Sequence, residues 1–244
     1  MTLIFGDPHT HFSHILPLVE KHKPAAIILL GDMECSKPLE QHLGRVTDLT
    51  EVYWIHGNHD VDKQEFHTNL FESRLAKNCL HGKVIEIDGL KVAGLGGVFH
   101  IDSWYPKDSE TTPIFDDYDS LLKSEHEKFI MKNFGKDPLT DPVIIGKSLL
   151  HKATIFYEDW LTFEGIKADV LITHEAPSCH PLGLVGIDFL AQNLDVKDCF
   201  HGHHHDNLDY SNNYSRLGFR AHGVGFCGVK DVAGHDILAG KFDK

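Results

Sequence analysis

Short apolar runs recur along the first part of the chain, and each of them ends in polar residues. Uninterrupted apolar runs of this length are typical of buried strands, whereas the spacing of Ile15, Leu18 and Val19 is typical of an amphipathic helix. Open α/β sheets place their ligands at the carboxyl ends of such strands, so the polar residues there are candidates for function. The pattern predicts three successive β-units with strands at 2–5, 26–30 and 51–55.

The later pattern predicts a sheet arrangement that is not purely parallel. Asp88-Gly89 separates two β-rich runs at 83–87 and 90–95, which predicts a tight hairpin. Between about 100 and 167 the chain is rich in turn formers and helical patterns, and we interpret this part as a helical or loop insert. No linker-like stretch is present, so we expect a single domain over 1–244 that contains this insert. The remaining predicted elements are helices at about 121–134 and 148–163, strands at 168–173 and 198–201, and a hairpin about Asn212-Asn213.

Composition excludes several classes of protein. The 244 residues are 41% hydrophobic and 24% charged, and no apolar run approaches the roughly 18 residues of a membrane span. A secretory signal is absent from the given sequence, so we expect a cytoplasmic protein without a membrane partner. The net charge of -13 disfavours a nucleic-acid partner, because a polyanion would be repelled. Five cysteines without Cys-x-x-Cys spacing disfavour a thiolate zinc site.

Five polar clusters follow predicted strands, and all of them offer carboxylate, amide or imidazole groups. These are the ligand types that suit manganese, iron and zinc. Any one cluster could be an ordinary turn, since Asn and Asp beside Gly are common turn residues. Five independent turns would have no reason to select only such ligands, so together they predict a metal site. The clusters are Asp7 with His9, then Asp32, then Asn58 with His59 and Asp60, then His174, and finally His203 with His205.

The order of these clusters resembles the calcineurin-like metallophosphoesterase family. Its motifs Asp-x-His, Gly-Asp, Gly-Asn-His-Asp, a later His and Gly-His-x-His all occur here between residues 7 and 205. The resemblance implies an α/β fold, a four-layer α/β/β/α sandwich of two mixed sheets flanked by helices, with a dinuclear metal site at the strand ends. It implies the following roles: Asp7, His9 and His205 hold one metal, Asn58, His174 and His203 hold the other, Asp32 bridges them, His59 is catalytic and Asp60 orients His59.

The chemistry of these residue types agrees with that resemblance. Two cations bridged by one carboxylate can hold a hydroxide that attacks phosphorus, and His59 can protonate the departing oxygen. We therefore predict two divalent metal ions, with manganese preferred over iron or zinc, and a phosphate-ester substrate. The predicted function is hydrolysis of a phosphomonoester or phosphodiester by a metal-bridging hydroxide. The insert at 100–167 is predicted to form a cap that sets substrate choice, with Trp104 and Phe115 among its contacts.

Two alternatives remain open at the level of sequence. One is a nuclease of the same fold, which the acidic balance disfavours. The other is a catalytically inactive scaffold that keeps metal only for stability and binds a partner. His59 and Asp60 favour an enzyme over that scaffold, because neither is needed to hold metal.

Overall fold

The computed structural model describes residues 1–107, 112–133 and 135–243. Strands and helices alternate along most of this part of the chain. In chain order the elements are β1 Thr2–Phe5, α1 Ile15–His22, β2 Ala26–Leu29, α2 Leu39–Leu43, α3 Val46–Leu49, β3 Glu51–Trp54, α4 Gln64–Phe71, β4 Lys83–Ile87, β5 Leu90–Leu95, α5 Tyr118–Lys132, α6 Pro142–Leu150, α7 Tyr157–Leu161, β6 Val170–Thr173, α8 Val185–Leu194, β7 Asp198–His201, α9 Tyr214–Leu217, β8 Arg220–Gly223, β9 Val229–Asp231 and β10 Asp236–Leu238.

The strands form two mixed sheets of five strands each. In the first sheet the order is β10-β9-β1-β2-β3. Strands β1, β2 and β3 run parallel to one another, and β9 is antiparallel to both of its neighbours, β1 and β10. In the second sheet the order is β4-β5-β6-β7-β8, where only the β4–β5 hairpin is antiparallel. The carboxyl ends of the parallel strands in each sheet therefore lie at a common edge.

Alternation of side chains along the strands produces three separate apolar layers. Leu3 and Phe5 of β1 pack in a cluster with Ile15 of α1, whereas Ile4 packs in a cluster with Phe200 of β7 in the other sheet. A third cluster fills the space between the second sheet and helix α8. Successive residues of a strand point to opposite faces, so β1 contributes to both sides of its sheet. The predicted α/β sandwich of two mixed sheets flanked by helices is thereby confirmed.

Several predicted elements differ from the structure. The hairpin about Asn212-Asn213 is wrong, because Ser211–Asn213 forms a 3₁₀ turn that continues into α9. The range 148–163, where helix was expected, contains the end of α6 and the whole of α7. Helix α6 begins at Pro142, where the Asp141 side chain accepts hydrogen bonds from the first turn, and α7 spans Tyr157–Leu161. Helix α8 was not predicted. The predicted helix end at Phe134 lies outside the described residues.

Helices α5, α6 and α7 all lie between strands β5 and β6, within the predicted insert. No helix in the described part of the chain is long and apolar enough to cross a membrane. The extent of a single domain over 1–244 stays a prediction.

Candidate metal centre

The loops after the parallel strands adopt an unusual backbone conformation where the predicted ligands lie. The φ angles are 39° at His9, 50° at Asp32, 69° at His203 and 61° at His205. Non-glycine residues reach this left-handed region only at an energetic cost, and such residues cluster at functional sites. The positive φ angles turn the chain sharply at the strand ends, where these side chains converge.

The first group of possible ligand atoms belongs to His9, Asp32 and His205, and these atoms all lie within 4.8 Å of one another. The Nε2 atoms of His9 and His205 are 2.8 Å apart, and His9 Nε2 is 3.6 Å from Asp32 Oδ2. Asp7 Oδ2 lies 3.7 Å from His205 Nε2, at the border of this group. The structure thus brings together the four residues that were predicted at or beside the first metal.

The second group consists of Asp32, His174 and His203, again with ligand atoms within 4.8 Å of one another. His174 Nε2 lies 3.4 Å from Asp32 Oδ2 and 3.1 Å from Asn58 Oδ1. The Nδ1 atom of His174 donates a hydrogen bond to the Leu30 carbonyl oxygen at 2.8 Å. This bond fixes the tautomer whose Nε2 lone pair is available for a metal. Asp32 is therefore common to both groups.

Two carboxylate oxygens at the centre fit a bound cation. Asp7 and Asp32 are buried, and within the described residues Asp7 Oδ1 and Asp32 Oδ2 have no hydrogen-bond donor. A buried carboxylate oxygen without a partner is costly, and a divalent cation would satisfy it. Oxygen and imidazole donors together suit manganese, iron and zinc. The residues present therefore fit a pair of divalent metal ions.

Burial and the neighbouring charges shape the electrostatics of the centre. Burial raises the pKa of Asp7 to about 7. Burial would lower the pKa of His174, but the Asp32 carboxylate beside it raises this pKa to about 10, so in the metal-free protein Nε2 holds a proton that a bound cation would replace. Burial lowers the pKa of His203 to about 3, which keeps that imidazole neutral as a metal ligand must be. The centre is thus a buried site in which the carboxylates stabilise positive charge.

His59 lies at the exposed side of this centre, in a 3₁₀ turn that spans His59–Val61. Its backbone N–H donates to Asp32 Oδ1 at 2.8 Å, and its side chain is 44% exposed. The His59 Nδ1 atom lies 2.7 Å from Asp62 Oδ2. Burial lowers the pKa of His59, but the hydrogen bond to Asp62 and nearby carboxylates outweigh this and raise it.

The predicted pairing of Asp60 with the His59 ring is wrong. Asp60 is buried, and its two oxygens accept hydrogen bonds from the backbone N–H groups of Gly57, at 2.9 Å, and Glu34, at 2.8 Å. Side chains three residues apart share one side of a 3₁₀ turn, so it is Asp62 that reaches His59. Asp60 instead connects the loop after β3 to the loop after β2.

Three further residues at the centre were missed by sequence reasoning. Glu34 Oε1 contacts His9 Nδ1, and Phe226 stacks on the His9 ring at a centroid distance of 5.3 Å. Asp62 is the third. Glu34 and Asp62 are acidic residues two or three positions after predicted site residues, which is a signal that could have found them. Phe226 has no such signal, because it comes from the distant loop between β8 and β9.

One predicted contact differs from expectation, and the structure contains one further group of possible ligand atoms. Trp104 was expected to contact a leaving group, but it is only 4% exposed and packs among Phe99 and Trp160. A third group of possible ligand atoms joins His203 to Glu175 and His204. The His204 ring stacks on His180 with a centroid distance of 3.8 Å.

Comparison with known proteins defines the family to which the chain belongs. The sequence model of the family "Calcineurin-like phosphoesterase" matches residues 1–207, and the chain belongs to that family. Hydrolysis of phosphoesters and use of divalent metal ions are properties of the family. An uncharacterized protein of Haemophilus influenzae is 34% identical over 238 residues, which cover 98% of this chain and 96% of that protein.

Two solved structures are similar to this chain at low sequence identity. One crystal structure is similar over 98% of both chains, with a TM-score of 0.50 and 13% identity, which supports the fold alone. The structure of the NAD nucleotidase of Haemophilus influenzae is similar over 96% of this chain and 39% of that chain, with a TM-score of 0.36 and 14% identity. That second likeness is too distant to support an argument about function.

Proposed function

We propose that the chain hydrolyses a phosphomonoester or phosphodiester with two divalent metal ions. The observation that carries this proposal is the position of Asp32, whose carboxylate belongs to both groups of possible ligand atoms. One carboxylate shared by two ligand sets is what a pair of metals about 3.5 to 4 Å apart requires. Manganese is the preferred metal of the proposal, with iron or zinc as alternatives, since all three accept this set of oxygen and imidazole donors.

In this proposal Asp7, His9 and His205 hold one ion, and Asn58, His174 and His203 hold the other. When bound, such a pair supplies a nucleophilic water at neutral pH and neutralises charge on the phosphoryl group. The chain's own contribution is to fix the ligands. The Leu30 carbonyl sets the His174 tautomer, and Glu34 contacts the His9 ring at Nδ1. Carbonyl and carboxylate partners of this kind orient ligating histidines.

His59 is the proposed proton donor to the leaving oxygen. Its side chain is partly exposed, while its backbone N–H is bound to the shared Asp32 carboxylate. The ring is therefore held beside the centre with room for a substrate. Because Asp62 binds Nδ1, Nε2 is the ring nitrogen that can donate to a substrate. Asp62 also stabilises the protonated imidazole.

The test is to load the purified protein with manganese, measure bound metal and assay phosphomonoesters, cyclic nucleotides and linear diesters in parallel. We expect about two metal equivalents and hydrolysis of at least one class. Asp32→Asn should abolish turnover and lower metal content more than substitution of any one terminal ligand, because it removes charge beside both ions. The matched control is Asp48→Asn, which changes an exposed carboxylate in α3. Two full metal equivalents with normal turnover in Asp32→Asn would contradict the proposal.

A further inference from the structure

A cavity of about 600 Å³ lies within the insert, between the segment around Ile101 and Ile114 and helices α5 and α6. This volume is in the range of sites that bind drug-sized molecules. Seven of the fourteen described lining side chains are apolar, and three of these, Ile101, Ile114 and Val143, are also largely exposed to solvent. Large apolar side chains exposed together around a cavity mark a binding surface, because an empty cavity leaves their surface in water.

The wall of the cavity includes a turn that lies beside the turn of the proposed proton donor. His151 lines the cavity, and it belongs to the 3₁₀ turn His151–Ala153. This turn lies beside the turn His59–Val61, with Cα atoms of the two turns within 8 Å of each other. A proton donor must face the oxygen that leaves, so the leaving group of a substrate lies on the His59 side of the centre. The turn beside His59–Val61 is also part of the cavity wall, which makes this cavity the candidate space for the leaving group.

The polar part of the cavity wall is positively charged. Glu125 of α5 binds Lys128 at 2.9 Å and Lys147 of α6 at 2.5 Å, which ties the two helices together. Lys132 also lines the cavity, and Asp102 is the other acidic residue among the lining residues that the structure describes. Among the described residues of the lining, three lysines and two carboxylates give one net positive charge, in a chain whose net charge is -13. Such a wall favours an anionic or neutral amphiphile over an organic cation.

We infer that this cavity binds the leaving group of the substrate, and that this leaving group carries an alkyl or acyl chain. The inference rests on the proposed function and names its substrate class. In the reaction, water adds to phosphorus, the ester phosphorus–oxygen bond breaks, and the alcohol leaves with a proton from His59. The apolar chain of that alcohol then occupies the space lined by Ile101, Phe115 and Val143.

A homologous series of alkyl phosphates, from ethyl to octyl, tests the inference through kcat/KM. Burial of each methylene should raise kcat/KM by about two- to fourfold until the cavity is filled. The intrinsic reactivity of these esters hardly changes along the series, so the slope reports binding of the chain. A flat series, with measurable turnover of ethyl phosphate, would overturn this inference and leave the proposed function intact. Absence of turnover of every phosphoester by metal-loaded protein would instead contradict the proposed function.

A matched pair of variants tests whether the dependence on chain length arises at this cavity. Val143 lines the cavity and is 67% exposed, whereas Ile145 lies on the same helix, is 51% exposed and does not line this cavity. Val143→Glu should lower the ratio of octyl to ethyl phosphate turnover by at least about fivefold, because it places a charge where the chain packs. Ile145→Glu should leave the ratio unchanged. Equal ratios in both variants and the unchanged protein would overturn the inference.

A binding measurement that needs no turnover completes the test. Decylphosphonate and ethylphosphonate carry a carbon–phosphorus bond that is not hydrolysed, and their binding to the metal-loaded protein can be followed by calorimetry. Decylphosphonate should bind at least about 30-fold more tightly and with a more negative heat-capacity change. The Val143→Glu variant should lose most of that difference while ethylphosphonate binding stays the same. Equal affinities for the two phosphonates would reject a chain-binding cavity.

Discussion

His59 and Asp62 form a hydrogen-bonded pair, with 2.7 Å between Nδ1 and Oδ2, at the exposed side of the metal centre. Both residues belong to one turn, so their separation is set by local backbone geometry. The pair supports a protonated imidazole, and of the proposed metal ligands only Asn58 lies on the same loop. This division separates proton donation from metal binding, and substitutions can therefore test the two roles independently.

His59→Ala should slow hydrolysis far more for an alkyl ester than for a nitrophenyl ester. An alkoxide is strongly basic and needs a proton as it leaves, whereas nitrophenolate can leave largely unassisted. The loss for the alkyl ester should be about 100- to 10,000-fold, as is typical of general acid catalysis. Steady-state kinetics with both esters measure the difference, and elemental analysis should show unchanged metal content.

Asp62→Asn should give a weaker form of the same pattern, because the amide can still position His59 but does not stabilise its positive charge. Equal losses with both esters at full metal content would contradict general acid catalysis. They would favour a role for His59 in stabilising charge on the phosphoryl oxygens.

Asp60→Asn should act on stability rather than on the leaving group. The two Asp60 oxygens accept hydrogen bonds from Gly57 and Glu34, and the amide NH₂ of asparagine would face one of these N–H donors. A buried unsatisfied donor costs about 1 to 3 kcal/mol in the free energy of unfolding. Urea unfolding of the metal-free protein measures this loss in the free energy of unfolding. Asp62→Asn is the control, and we expect about 0.5 kcal/mol or less because that pair is largely exposed. An equal effect of both variants would contradict this role of Asp60.

The parts of the fold that the sequence predicts well are those decided by local pattern. Strands β1 and β7 have the predicted bounds, 2–5 and 198–201, because each is a short buried run followed by turn residues. The Asp88-Gly89 hairpin also forms, with φ angles of 51° and 79° that suit its tight turn. Helix α8 was missed because the glycine and aspartate among its apolar residues obscure a helical period, whereas in the structure both are buried.

The site contains features that no local pattern predicts. The approach of Glu34 to His9 depends on a left-handed φ of 50° at Glu34, which the hydrogen bond from its N–H to Asp60 holds. Phe226 reaches His9 only because β9 pairs with β1, which brings the end of the chain beside its beginning. The cavity in the insert depends on how α5 packs on α6. Each of these is a tertiary contact between different elements or loops, which a local sequence pattern does not specify.

Stability should fall in acid, in part because of His151. This side chain is buried, and burial together with the nearby His100 lowers its pKa from 6.5 to about 4. As the pH falls from about 6.5 to 4, the unfolded chain takes up a proton at this residue and the folded chain does not. The folded state therefore loses stability in that window, by about 1 to 3 kcal/mol for a buried imidazole.

The measurement is the free energy of unfolding of the metal-free protein at pH 7.5 and at pH 4.5. His151→Asn should reduce the loss between the two pH values, because asparagine does not titrate. His235→Asn, at an exposed position, is the control and should leave the loss unchanged. If His151→Asn and the control show the same loss as the unchanged protein, His151 is not a source of the acid sensitivity.

Gly57→Ala should disrupt the metal centre through its shared carboxylate. A Cβ atom at Gly57 would lie 2.2 Å from Asp32 Oδ1 and 2.5 Å from His174 Cε1, and both of those side chains are buried. Neither side chain can move into solvent, so the added methyl must displace the shared carboxylate or the loop itself. Metal content and turnover should both fall strongly, and overpacking should lower the free energy of unfolding of the metal-free protein by about 1 to 3 kcal/mol.

Gly146→Ala is the matched control for that substitution. Gly146 lies within α6, and a Cβ atom there would meet no other atom within 4 Å. Alanine is favoured over glycine inside a helix, so this variant should be more stable by about 0.5 to 1 kcal/mol with unchanged metal content. Elemental analysis and urea unfolding of both variants give the comparison. Full metal content in Gly57→Ala would show that the centre tolerates displacement of Asp32, and would contradict the role of this carboxylate as the group shared by both metals.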